Sequence, residues 1–357
     1  MPATITTVIP TFRRPTLLGR AIRSVLRQTN RDCAVTVFDN ASGDETRDVV
    51  AAIAAEDPRV SYHCQSRNVG IVANFISAMQ SVQSPYFSVL SDDDVLFPEF
   101  FDTGLRALTQ FRKAMFFAGS TLEFDENGAL RNVPLVFWPR EGEYQPSEAL
   151  PLMLGNRHPT LSGILFRRTL IDAIGVMDPD VGAAADFDYE MRGAARYPIV
   201  VSFQPCAAWV SHEASQSAAN TAAIASSYEK IIRNIESISE LDADVKRRTI
   251  AAFRRQLRGK LLEISVKAQV RGDAAVSREA ALRLRDEYGW RVMGGVLLAM
   301  SGVCARFHSL QRLLVWLEAR RLDVRAARAQ RRAGASIRDL ERYAGYLRAP
   351  QEHVSSC

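Results

Sequence analysis

The sequence predicts an α/β fold, an open mixed sheet flanked by helices, followed by a mostly α-helical C-terminal region. Three observations carry this. Short β-branched runs alternate with helical patterns up to about residue 90, the order of an open sheet with right-handed crossovers. The run YFSVL at 86–90 is almost wholly apolar, as expected of a strand at the buried centre of a parallel sheet. From about residue 221 onward no strand-like run remains, and segments rich in Arg, Ala and Leu take over.

The elements follow in order. ATITTVIP at 3–10 reads as the first strand. Segment 14–29 places Leu17, Leu18, Ala21, Ile22, Val25 and Leu26 at helical spacing. AVTVFD at 34–39 is the second strand. Residues 42–56 read as a helix opened by a capping box, Ser42 with Glu45 three residues later. VSYHC at 60–64 is a strand, 70–82 a helix and 86–90 the fourth strand. Beyond residue 95 the pattern is mixed. It predicts a helix at 98–111, a strand at 114–119 and an excursion over 120–145 on a hairpin turning at Glu126-Asn127-Gly128. A strand at 161–168, a helix at 186–197 and a last strand at 206–212 complete the sheet. The last ten residues read as a frayed tail.

The chain has 357 residues, 47% hydrophobic and 24% charged, which excludes a disordered, collagen-like or disulfide-stapled protein. Cys33, Cys64, Cys206, Cys304 and Cys357 have no paired spacing, so a reducing, cytoplasmic compartment and no zinc motif are expected. The immediate entry into a strand predicts no signal peptide. The longest uncharged apolar run, Val292 to Ala305, has fourteen residues, short of the about 20 needed to span a bilayer. The net charge of +5 conceals a split. Residues 1–220 hold 19 basic and 25 acidic residues, net −6, whereas 221–357 hold 26 and 15, net +11. This predicts two regions, 1–220 and 221–357. An acidic region suits a metal, and a basic one suits anionic lipid or a polyanion.

In open α/β sheets ligands sit at the carboxyl ends of the strands. The first, second and fourth strands end in Pro10-Thr11-Phe12-Arg13, Asp39-Asn40-Ala41-Ser42 and Ser91-Asp92-Asp93-Asp94, and the third is followed by Arg67-Asn68-Val69-Gly70. None has the glycine-rich loop of a dinucleotide or P-loop site. Three adjacent carboxylates repel one another unless a cation or solvent compensates them. Hard divalent cations take one or two carboxylates plus substrate phosphates. The plain alternative is a solvated acidic turn with Asp94 capping a helix.

Across residues 8–217 the chain resembles family 2 glycosyltransferases, inverting enzymes of GT-A fold found in bacterial polysaccharide biosynthesis. The segments that carry the resemblance are VIPTFRRPTLLGRAIRSVLRQT, VFDNASGDET, RNVGIVANFISAM, LSDDDVLFPEF, LSGILFRR, AADFDYEMRGA and WVSHEASQS, in that order. It implies a nucleoside-diphosphate sugar donor, a saccharide or lipid-linked acceptor and a Mn²⁺ or Mg²⁺ cofactor. Pro10, Thr11, Phe12 and Arg13 would hold the base and ribose, and Asp39 would accept a hydrogen bond from the base. Arg67, Asn68, Gly70 and Asn74 would line the donor site. In the Asp-x-Asp motif Ser91 stands where the first aspartate often sits. Asp93 is then the metal ligand and Asp92 lies near the ribose, with Asp94 the alternative ligand. His212 would be a further metal or pyrophosphate contact. The family's Glu-Asp pair reads Ala185-Asp186 here, leaving Asp186 as the general base, or as a mere helix cap, and Asp188 as the alternative base.

The resemblance leaves residues 221–357 uncovered. Packing on the sheet, a homodimer surface and peripheral contact with the inner face of the cell membrane are the readings open to them. Two rivals to a transferase remain. A sugar-nucleotide-binding protein without transfer activity would explain the missing glutamate and Ser91. A nucleic-acid-binding module rests on the +11 half alone and lacks any motif, so no nucleic-acid partner is expected.

Overall fold

The computed structural model describes residues 3–125, 127–211, 221–304 and 308–337, with 340, 342 and 343. Strands β1 (Ile5–Thr11), β2 (Cys33–Asp39), β3 (Val60–Cys64) and β4 (Tyr86–Val89) form a parallel half-sheet in the order β3-β2-β1-β4. Helices α1 (Pro15–Leu26), α2 (Thr46–Glu56) and α3 (Ile71–Gln80) supply the crossovers. Pro15 opens α1, where its missing N–H costs nothing. Leu18, Ala21, Ile22 and Val25 form the buried stripe of α1.

The second half mixes directions. It holds β5 (Val95–Leu96), α4 (Phe100–Gln110), β6 (Phe116–Asp125), β7 (Leu130–Asn132), β8 (Gly142–Tyr144), α5 (Pro146–Met153), β9 (Ile164–Arg167), α6 (Thr169–Ile174), α7 (Ala185–Ala194) and β10 (Ile199–Ser211). The sheet continues β4-β9-β6-β10-β5, with β9 antiparallel to β4 and β6, and β6 parallel to β10. Strand β4 therefore sits where the parallel half meets the mixed half.

The structure corrects several expected boundaries. The capping box at Ser42 does not form: α2 begins at Thr46 and no side chain caps it. Residues 161–163 make a 3-10 turn before β9. A Cβ on Gly163 would lie 2.5 Å from Thr121 Oγ1, so the turn presses onto β6. The expected last strand starts seven residues earlier, because register shifts around Pro205 absorb the proline. No helix starts at Asp94; β5 follows it. Gly128 turns the expected hairpin with φ +76°. Glu126, His212 and the last ten residues lie outside the described residues.

After residue 220 the described residues are helical: α8 (Thr221–Glu236), α9 (Ala243–Arg271), α10 (Ala274–Asp286), α11 (Arg291–Cys304) and α12 (His308–Ser336). Asp242 caps α9 by accepting from the amides of Asp244 and Val245, both at 3.0 Å. Gly272 ends it in the left-handed conformation. These helices pack on the sheet half. One buried cluster joins Tyr228, Ile231, Ile235, Phe253 and Leu257 to Met177, Val181 and Phe187. Helix α12 returns to place Ala333 and Ile337 against Val95, Phe97, Leu122 and Phe124.

A polar network fastens α8 to α7. Asp188 is fully buried. Its Oδ2 accepts from Arg192 Nε at 2.6 Å and its Oδ1 from Asn234 Nδ2 at 2.8 Å. Arg192 also donates to the carbonyls of Ile174 and Val176, and Asn234 to Asp178, which pairs with Lys230 at 3.2 Å. Removing one partner of a buried pair leaves an uncompensated charge. Arg192→Ala should therefore cost about 3–5 kcal/mol and Asn234→Ala about 1–3 kcal/mol, read as lost unfolding free energy in urea.

Candidate active site

Parallel register brings the polar strand ends together. Thr11 pairs with Asp39 across β1 and β2, and Val8 with Val89 across β1 and β4. The chain leaving β4 thus places Asp92 beside Thr11, whose hydroxyl donates to Asp92 Oδ2 at 2.7 Å inside the protein. Phe12 and Arg13 follow. Arg13 has φ +56°, held by its amide on Ser42 Oγ at 2.8 Å and its Nε on the Ser42 carbonyl at 3.0 Å, with its guanidinium over the Phe12 ring. This is what Ser42 does in place of capping a helix.

Asp39 is buried and well satisfied. Its Oδ1 accepts from Ser42 N at 2.9 Å and Ser42 Oγ at 2.5 Å, and its Oδ2 from Tyr62 OH at 2.5 Å, with Cys64 Sγ at 3.8 Å. The loop after β3 is tied to β2 through Asn40, which donates to Asn68 Oδ1 at 3.0 Å and accepts from Val69 N at 2.8 Å. Asn68 accepts the Gly70 amide at 2.9 Å, and Gly70 has φ +87°. Asn74 is buried and donates to the Phe38 carbonyl at 2.8 Å while accepting from Gln65 at 3.2 Å. It braces the loop from within. Arg67 is exposed on the loop after β3.

The three carboxylates differ in surroundings. Asp92 is buried, and burial raises it above the usual carboxylate range, against the opposing Thr11 hydrogen bond. Asp93 is the accessible member, its side chain 23% exposed against 9% for Asp92. Asp94 is buried, accepts the Ser162 hydroxyl, and is pushed well above its ordinary value by burial and then by Asp93. Arg14 bridges Asp93 at 2.7 Å and Asp92 at 3.3 Å, and Arg20 donates to the Asp93 carbonyl at 2.6 Å. Sequence reading picked Arg13 and passed over Arg14, Arg20 and Ser162. Arg14 stands at the N-cap of α1, Arg20 is half-buried within it, neither carries a motif, and Ser162 is 68 residues from Asp94.

Asp186 lies in the first turn of α7, with its Oδ1 accepting the Phe187 amide at 2.8 Å. Its side chain reaches solvent, yet protein atoms crowd around it, and this desolvation raises the carboxyl above its usual range. The N-cap is Ala184, so Asp186 is not the cap. The segment 158–162 links this carboxylate to the acidic cluster. His158 stacks on Phe187 at 4.4 Å, and Ser162 bonds Asp94. Four residues span at most about 14 Å between Cα atoms. Asp188, the alternative base, is sealed in the Arg192–Asn234 network.

The family model described as Glycosyl transferase family 2 matches residues 6–175. These residues form a family 2 glycosyltransferase domain. A β-1,3-glucosyltransferase of Campylobacter jejuni, named for a GalNAc(5)-diNAcBac-PP-undecaprenol substrate, is 31% identical over 93 residues, 26% of this chain and 30% of the relative. The putative colanic acid biosynthesis glycosyl transferase WcaA of Escherichia coli is 32% identical over 90 residues, 25% of this chain and 32% of the relative. The matches thus span about a third of either relative's length. Among solved structures, S. aureus TarS 1–349 in complex with UDP superposes with a TM-score of 0.61 at 14% identity, covering 85% of this chain and 91% of that one. Mannosyltransferase PcManGT of Pyrobaculum calidifontis, in complex with GDP-Man and Mn²⁺, gives 0.55 at 16% identity, covering 86% and 88%. The fold is GT-A.

The family 2 domain implies a divalent metal, and the donor set at the tip of β4 fits one. The donors are oxygens. Asp92 and Asp94 are both held above the ordinary carboxylate range, chiefly by burial and, at Asp94, by the charge of Asp93, even with Arg14 and Arg20 beside the cluster. No three His, Cys, Asp or Glu side chains among the described residues form a ready-made metal cage. A hard cation here would complete its shell with donor phosphate oxygens.

The Thr11–Asp92 bond gives a direct test. Thr11→Val keeps the shape but leaves a buried carboxylate without its donor, which costs about 1–3 kcal/mol. It should lower the thermal midpoint and weaken nucleoside diphosphate binding, whereas Thr11→Ser should restore both.

Proposed function

We propose that the chain is a metal-dependent inverting glycosyltransferase, moving a sugar from a nucleoside-diphosphate donor to a hydroxyl of a saccharide or lipid-linked acceptor. The observation that carries this is the half-buried carboxylate cluster at the tip of β4, tied to Thr11 on β1 and to Ser162 before β9. Residues 1–220 act as the catalytic unit. Pro10, Thr11, Phe12, Arg13 and Asp39 shape the nucleotide end, with Arg67, Asn68 and Gly70 along the wall, Asn74 bracing that wall from within, and Asp92 toward the ribose. The neighbours solved with UDP and with GDP-Man and Mn²⁺ are in keeping with this reading.

Asp93 would hold the metal, since it is the accessible carboxylate and its Arg14 partner can give way to a cation. Asp94 stays with Ser162. His212 remains a further candidate, outside the described residues. When bound, the metal neutralises charge on the departing diphosphate. Asp186 takes the proton of the acceptor hydroxyl as its oxygen attacks the anomeric carbon, and the sugar inverts. Its raised carboxyl makes it a stronger base, active above its own pKa and silenced as pH falls through it.

Nucleoside diphosphates should raise the thermal midpoint only with Mn²⁺ or Mg²⁺, and EDTA should reverse this. Asp93→Asn should abolish the metal-dependent shift; if Asp94→Asn does so and Asp93→Asn does not, the ligand is Asp94. Asp186→Asn should cut transfer about 10²- to 10⁴-fold and spare nucleotide binding. Normal transfer by that variant would move the base elsewhere, and no transfer by the native protein with any donor would favour a binding protein.

The surface of 221–357 supports peripheral contact with an anionic membrane at its inner face. No described helix is long and apolar enough to cross a bilayer. Helix α11 buries Leu297 and presses Gly294 against α10, where a Cβ would lie 2.7 Å from the Ala281 carbonyl. Its other side exposes Val292 at 83%, Met293 and Val296. Trp316 is exposed on α12 with Arg320 over its ring, and Arg325, Arg328 and Arg331 follow. Each basic residue near such a surface is worth about 1 kcal/mol. Flotation with anionic vesicles should be strong at low salt, weaker at high salt and absent with neutral vesicles. A protein that stays in solution but self-associates through this face would instead assign it to a homodimer.

A further inference from the structure

Glu190 is the buried titratable group that the reading above leaves unused. It stands four residues after Asp186 on α7, so the two side chains share a helix face. It is 1% exposed, and its Oε2 has no hydrogen-bond partner among the described residues.

Charged residues on the elements packed against α7 are engaged elsewhere or, as with Arg233 of α8, exposed. Glu148 on α5 pairs with Arg140, and Asp172 on α6 with Arg168. Asp178 and Asp180, before and within the turn that leads into α7, pair with Lys230 of α8. Asp188 holds Arg192 and Asn234, Glu229 of α8 holds Arg283, and Arg196 donates to the Arg192 carbonyl. His158, stacked on Phe187, is kept neutral by burial, its pKa lowered to about 4. Burial likewise raises the Tyr189 and Tyr228 hydroxyls, which stay protonated. Asp186 supplies the charge that acts on Glu190, and it is of the same sign.

We propose that Glu190 is a positioning residue, a carboxylic acid that keeps its own proton beside Asp186 so that the pair carries one negative charge while Asp186 works as the base. This deepens, and rests on, the assignment of Asp186. In transfer the acceptor oxygen bonds to the anomeric carbon and its proton passes to Asp186. The electrons of the breaking bond leave with the nucleoside diphosphate, and Glu190 neither gains nor loses a proton. A second carboxylate charge on this face would repel the anionic donor, so ionisation of Glu190 closes the active range from the alkaline side.

Burial, reinforced by the Asp186 charge, pushes Glu190 well above its ordinary value. The folded state then keeps a proton that the unfolded chain has lost above about pH 4.3. Stability falls as pH rises from there until Glu190 ionises in the folded state.

The test compares wild type, Glu190→Gln and Asp186→Asn without nucleotide, by thermal midpoint from pH 5 to 9. The Glu190→Gln midpoint should rise above wild type by a gap that widens with pH, reaching several degrees at pH 8. In Asp186→Asn the Glu190-dependent fall should persist but level off at lower pH. Transfer profiles, each scaled to its own maximum, should show that Glu190→Gln keeps the acid limb and loses the alkaline limb. Parallel midpoint curves for wild type and Glu190→Gln, or an unchanged alkaline limb, would overturn the proposal. Full transfer by Asp186→Asn would sink the base assignment while leaving the midpoint curves as described, so the two failures are separable. If Glu190→Gln fails to fold, the ¹³C carboxyl signal of Glu190 in wild type decides: a protonated position at pH 7 supports the proposal, and an ionised one overturns it.

Discussion

Three consecutive carboxylates at the end of β4 form a charge problem that the surrounding structure solves only in part. Thr11 bonds Asp92, Ser162 bonds Asp94, and Arg14 spans Asp92 and Asp93. Each contact comes from a different element, so the acidic cluster knots together β1, the start of α1 and the turn before β9. Two of the three carboxylates remain above the ordinary range. Burial is the main cause in both, reinforced at Asp94 by the charge of Asp93, and the proposed cation and diphosphate would relieve the shift. A fully paired cluster would be more stable and would have nothing to offer a ligand.

The helices after residue 220 bear on the same chemistry from behind. Asn234 on α8 bonds the carboxylate of Asp188, two residues from Asp186. Tyr228 and Phe253 pack on Phe187, the residue whose amide holds Asp186. The first turn of α7 is thus fixed by a side-chain network and an aromatic cluster, both reaching into the helical region. The proposed role of Asp186 as a base calls for such support. The helical region supplies it by packing on the first turn of α7.

Most of the fold was legible because periodicity is a local signal. The four parallel strands, their crossovers and the polar tips at Thr11, Asp39 and Asp92 all followed from runs of a few residues. Two kinds of feature were not. The capping box failed because the Ser42 hydroxyl found a stronger acceptor in the Asp39 carboxylate, three residues back and one strand end away. The first half of β10 was missed because Pro205 reads as a strand breaker, although register shifts carry the strand past it. The partners of the acidic cluster were missed for a different reason: pairs such as Ser162–Asp94 and Asn234–Asp188 join residues 68 and 46 apart, and no local pattern encodes them.

The departure at Ala185 sharpens this. Where the resemblance leads one to expect a glutamate before the base, the chain has a buried alanine, which by itself suggests a weakened site. Position 185 is rotated by about 100° from Asp186 around the helix, whereas position 190 shares its face. A carboxyl beside Asp186 is therefore not absent: Glu190 stands about one turn beyond it on the same face. Behind the base, in the core and without a cation, such a group is most stable as the neutral acid. On the proposed reading it stays uncharged while Asp186 works, and so adds no charge to the cleft. Loss of the glutamate at 185 thus argues for a retuned transferase rather than an inert binding protein.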